Sequence, residues 1–128
     1  ARYRVADLFL DTHPYNAGTT ASDALRMGLP VLTYLGSSAV SREAASVISA
    51  LNLPELITTN QEQYESLAIE LATHPEKLKI IKDKLVSNLL TAPLYDTKLF
   101  TKNLESAYTM MYERYHQGLD PDHIYVKH

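Results

Sequence analysis

Residues 5–34 read VADLFLDTHPYNAGTTASDALRMGLPVLTY. An apolar run at 5–10 ends in Asp11-Thr12, and a polar loop follows. Residues 20–27 then carry a helical pattern, closed by Gly28 and Pro30, a stop signal made of a residue that tolerates positive φ and one that cannot continue a helix. A second β-rich run, Pro30-Val31-Leu32-Thr33-Tyr34, comes straight after. Strand, short helix, strand with tight connections is the unit of a parallel sheet.

The same pattern continues outward. Ser41 is the expected cap of a helix with Ala44, Ala45, Ile48 and Leu51 at helical spacing, and residues 54–57 suggest a short third strand. From residue 59 only helical patterns remain. Asn60 with Gln63 has the spacing of a capping box ahead of Tyr64, Leu67, Ala68 and Leu71. Pro75 fits a first helical position ahead of the stripe Leu78, Ile81, Leu85 and Leu89. Ala92-Pro93 breaks that helix. Asp96 is the expected cap of a last one, whose Phe100, Leu104, Ala107, Tyr108, Met111 and Tyr115 are expected to face inward. The helix should end at Gly118, before a turn-like tail. The expectation is one domain over 1–128: an α/β part at 1–58, helices at 59–119 and a tail at 120–128.

Composition narrows the function classes. The chain has 128 residues, 45% of them apolar, enough for a packed core. A net charge of -3 without a Lys/Arg stripe argues against a nucleic-acid partner. Lys77, Lys79, Lys82 and Lys84 read as one helix's solvated side. No apolar run is long enough for a membrane span. The chain has no cysteine, so neither a disulfide nor a Cys metal site is possible, which fits a reducing compartment and a cytoplasmic location. The five histidines show no paired ligand spacing, so no metal site is expected. A strand only four residues in suggests a piece of a longer protein.

The loop at 12–18 begins at the carboxyl end of the first strand, where open α/β sheets place their ligands. Gly18 permits close backbone approach. Thr19 and Thr20 would bring hydroxyls and first-turn N–H groups, and the helix dipole favours an anion there. A phosphate or nucleotide is one reading. The other is structural: Thr19 or Thr20 caps the helix, and Asp23 closes a capping box with Thr20. A carboxylate at Asp23 repels phosphate unless it faces sugar hydroxyls. The motif is neither a Walker loop nor Gly-x-Gly-x-x-Gly.

The wider text is more specific. ADLFLDTHPYNAGTTASDALRMGLPVLTYLG resembles the nucleotide-sugar region of O-linked N-acetylglucosamine transferases, above all bacterial and SPINDLY-like members. The likeness runs on through SREAASVISALNLPELIT, NQEQYESLAIELATHPEKLKIIKDKL and the last helix. It implies part of the Rossmann-like C-terminal half of a two-domain GT-B glycosyltransferase, followed by a helical segment. It also implies a UDP-sugar donor, protein Ser/Thr acceptors and no metal or other cofactor. Thr19 and Thr20 match the pair that binds the diphosphate, Asp23 the acidic residue near the ribose, and Arg2 an arginine of the nucleotide pocket. Gly18 falls where animal members carry a histidine on the phosphates. The family's diphosphate lysine and catalytic half would lie upstream, so no catalytic residue is assigned and the chain alone is expected to be inactive. The last helix would cross to the other half in the parent, so self-association through an exposed face is expected. The competing reading is a non-catalytic α/β interaction module without a nucleotide.

Overall fold

The structure is a computed structural model and describes residues 2–127. Three short parallel strands form a sheet in the order β1-β2-β3: β1 (Phe9–Leu10), β2 (Val31–Tyr34) and β3 (Ile57–Thr58). Phe9 is in register with Val31 and Leu10 with Leu32, and Thr33 pairs with Ile57 and Tyr34 with Thr58. Each strand is followed by a helix: α1 (Thr19–Arg26), α2 (Glu43–Ala50) and α3 (Gln61–Thr73). A two-residue link leads from β3 to α3, and α4 (Pro75–Leu89) packs on α3. The α/β class and parallel sheet expected from the sequence are both present.

The core explains the order. Val31, Leu32 and Thr33 of β2 are all buried. Neighbouring strand residues point to opposite faces, so β2 is covered on both, as a central parallel strand must be. Ala21, Ala24 and Leu25 of α1 and Ala44, Ala45 and Ile48 of α2 are buried. The alanines on these facing helices let α1 and α2 pack on each other and on β2. Gly28 has φ of 79° just after α1, the left-handed turn that the stop signal requires.

The contacts group residues 1–94 into one compact unit and 95–128 into another. The second contains α5 (Thr97–His116), with Asp96 accepting from the Leu99 N–H at 2.9 Å. Gly118 beyond it has φ of 69°. Within that unit Arg114 donates to the Asp120 carbonyl and lies 3.6 Å from the Asp122 carboxylate, folding the tail back on the helix.

Four local expectations need correction. The first strand, expected over residues 5–10, covers only Phe9–Leu10; Val5 ends a 3-10 turn over Arg2–Val5 and is 88% exposed. The strand needs a hydrogen-bonded neighbour, and β2 supplies one only from Phe9 onward. Residues 54–56 are likewise a 3-10 turn, with the strand starting at Ile57. Ser41 does not cap α2: its hydroxyl closes the turn at 38–41 by donating to the Ser38 carbonyl, and α2 starts two residues later. The apolar face of α5 is not inward. Phe100 is 66% and Tyr115 78% exposed, and no residue of α5 is buried.

Candidate functional site

The carboxyl ends of the three strands point to one edge, and Asp11 organises it. Asp11 follows β1 and is only 7% exposed. Its Oδ1 accepts from the Thr12 N–H at 2.9 Å and the Ala17 N–H at 2.8 Å, and its Oδ2 from the Thr33 hydroxyl at 2.6 Å. The carboxylate thus ties the loop at 12–17 shut and pins it to β2. A buried carboxylate persists only with such donors. The Tyr64 hydroxyl of α3 donates to the Asp11 carbonyl at 2.9 Å. Burial, and to a smaller degree the Asp11 charge, raise the Tyr64 pKa above its ordinary value.

The loop itself is held at several points. Asn16 is buried, its N–H donates to the Val40 carbonyl, and its side-chain amide donates to the Thr12 carbonyl at 2.9 Å. Its Oδ1 is buried without a protein partner among the described residues. His13 stacks on Tyr34 with ring centroids 4.1 Å apart. A cleft of about 300 Å³ lies here, lined by Asp11, His13, Tyr34, Gln61, Tyr64 and Glu65. His13 and Tyr34 also wall a second cleft that runs over Gly36 to Ser41.

The loop delivers Gly18 to the N-cap position of α1. Neither Thr19 nor Thr20 is the cap, and no side chain caps the helix, so the capping box expected of Thr20 and Asp23 is absent. Thr19 and Thr20 are the first two helical residues, and both are exposed, as is Asp23 one turn on. The N–H of Ser22 is the first to bond back, to Gly18 O at 3.1 Å. The N–H groups of Thr19, Thr20 and Ala21 are therefore the turn's free-standing donors by helix geometry. The N-cap and first two turns of α1 thus carry Gly18, Thr19, Thr20 and Asp23. Arg2 sits in the separate opening 3-10 turn, exposed, and no hydrogen bond or ion pair of the described residues ties it to α1.

Two residues of this edge escape a reading by motif. Asp11 has a legible signal, an Asp closing an apolar run ahead of a loop whose N–H groups need an acceptor. Glu43 has none. It is the first residue of α2, yet its carboxylate lies over Gly18, where an added Cβ would collide with Glu43 Oε1. Among the described residues no group of three or more His, Cys, Asp or Glu could hold a metal ion, and no helix is long and apolar enough to cross a membrane.

A parallel α/β unit with a ligand-accessible helix N-terminus at the carboxyl edge of its sheet is the architecture of many nucleotide-binding proteins. Comparison with known proteins is more specific. The model of glycosyl transferase family 41 matches residues 1–104. The chain belongs to that family. It is 34% identical over 119 residues to a probable UDP-N-acetylglucosamine--peptide N-acetylglucosaminyltransferase SPINDLY of Hordeum vulgare, across 93% of this chain and 13% of the relative. It is 34% identical over 123 residues to the UDP-N-acetylglucosamine--peptide N-acetylglucosaminyltransferase of Caenorhabditis elegans, across 96% of this chain and 11% of the relative. A solved structure, a Thermobaculum terrenum O-GlcNAc transferase mutant, superposes with a TM-score of 0.79 at 35% identity, covering 85% of this chain and 21% of that one. The chain therefore spans about an eighth of the length of these curated relatives.

Proposed function

We propose that this chain supplies the diphosphate-binding part of the donor site in a cytoplasmic protein O-glycosyltransferase. The donor is a UDP-sugar, UDP-N-acetylglucosamine by the printed names of the relatives. The acceptors are Ser or Thr hydroxyls of proteins, and no metal or other cofactor takes part. The observation that carries this reading is the first turn of α1. It opens at the carboxyl edge of the sheet, its N-cap is a glycine without a capping side chain, and its first two residues are exposed threonines.

The chemistry follows from that geometry. Transfer breaks the bond between the sugar and the β-phosphate, and negative charge develops on the departing UDP. N–H groups of a helix N-terminus and the Thr19 and Thr20 hydroxyls would stabilise that charge without reorganising, because the Asp11 hub already fixes the loop. Asp23 accepts from the ribose hydroxyls, and Arg2 joins the nucleotide pocket. No residue of the chain is assigned as general base, so turnover needs the parts that the longer relatives contain.

Binding and stability separate this reading from a structural one. Thr19→Ala and Thr20→Ala should each weaken UDP binding about tenfold, the worth of a charge-assisted hydrogen bond. Each should change unfolding free energy by less than about 0.5 kcal/mol, because neither hydroxyl caps the helix. A loss near 1 kcal/mol, the usual worth of a cap, with UDP binding untouched, would overturn it in favour of a module without a nucleotide.

A further inference from the structure

We propose that the Glu43 carboxylate is a resident anion on the diphosphate site, which an incoming nucleoside diphosphate has to displace. The inference rests on the diphosphate reading and names the residue of this chain that sets its affinity. An ideal Cβ on Gly18 would collide with Glu43 Oε1 and lie 2.8 Å from its Cδ and 3.2 Å from its Oε2. All three atoms of the carboxylate thus crowd the N-cap residue. The space that a side chain at position 18 would fill is taken by a negative charge from the next helix.

That charge has a reason to sit there. The first turn of α1 offers N–H groups and the positive end of a dipole, and its own N-cap supplies no acceptor. Arg42, the cation next to Glu43 in sequence, is turned to the Gly36 carbonyl at 3.0 Å. The carboxylate also has somewhere else to go. Glu43 is exposed and is the first residue of α2, so its own helix N-terminus is a second favourable position. It borders an open hollow of about 540 Å³ with Val40, Arg42 and Ser46, which leaves room to swing. A diphosphate on that turn and a carboxylate packed against its N-cap residue repel each other, so each binding event moves Glu43 aside. The side chain therefore discriminates by ligand charge: it opposes UDP most, UMP less and uridine hardly at all.

The test is titration of UDP, UMP and uridine into the 128-residue chain and into Glu43→Gln and Glu43→Ala variants, by calorimetry at low salt. Glutamine keeps the shape and removes the charge, and alanine removes both. Both variants should bind UDP roughly three- to tenfold more tightly, the range for removing a like charge at contact distance in partly screened surroundings. The gain should shrink for UMP and vanish for uridine. Thermal melts check that both variants fold. UDP binding that is equal or weaker in the variants would overturn the role of Glu43 and leave the diphosphate reading standing. UDP binding to none of the three proteins would overturn the diphosphate reading and this inference with it.

Discussion

Helices α1 and α5 both carry apolar residues at helical spacing and meet different fates. In the eight residues of α1, Ala21, Ala24 and Leu25 are buried against the sheet and α2. In the twenty residues of α5, none is. Periodicity tells which face of a helix is apolar, and a covering surface decides whether that face becomes core. The contrast has a thermodynamic side. The α1 face is bound into the residue 1–94 unit, whereas Phe100, Tyr108, Met111 and Tyr115 remain in contact with solvent.

The largest effect should come from Leu25→Ala. It empties a fully buried position and should cost about 2–5 kcal/mol. Phe100→Ala on α5 should cost less than about 0.5 kcal/mol by the same denaturant titration. Equal losses would break the comparison. Asp11→Ala comes next. It strands the Thr33 hydroxyl and the Ala17 N–H and should cost about 2–3 kcal/mol. Amide exchange at Ala17 should rise sharply while α5 amides keep their rates. If exchange at Ala17 does not change, Asp11 is not the clasp of the loop.

A smaller effect concerns assembly. An apolar helix face in water favours self-association. Gel filtration should therefore show an apparent mass that grows with protein concentration, and Tyr108→Ser with Tyr115→Ser should abolish that growth. A monomer at every concentration would mean that the α5 face carries no such contact.

The smallest is a pH effect in the first unit. The Tyr64 pKa is raised in the folded protein, so the folded state holds that proton more tightly than the unfolded one. Its contribution is complete below the ordinary tyrosine pKa and is lost as pH rises through the folded value. Tyr64→Phe should flatten the alkaline decline in stability. A decline of unchanged slope would show that the proton is not held.

Much of this was readable in the residues, for physical reasons that differ by element. β2 and α1 were legible because burial on both faces leaves a β-branched run, and because Gly28 and Pro30 punctuate the turn. Asn60 and Asp96 were legible as caps, since each side chain bonds an N–H three residues on. The start of β1 and the fate of the α5 face were not, because both depend on neighbours that a local pattern does not contain. At the candidate site, Gly18, Thr19, Thr20 and Asp23 could be picked out from the loop's place and the family likeness. Their cap geometry could not: two threonines in a row suit a cap, yet the loop delivers Gly18 to that position. The Asp11 hub joins residues 22 and 53 positions apart, and Glu43 reaches Gly18 from another helix. No spacing rule spans such distances.

The central claim is that the first turn of α1 holds a diphosphate, and titration of UDP followed by backbone amide shifts tests it most directly. The account predicts that Gly18, Thr19, Thr20 and Asp23 move together and saturate with a single dissociation constant, while the amides of α5 stay in place. Still amides on that turn at millimolar UDP, or shifts confined to other elements, would contradict it.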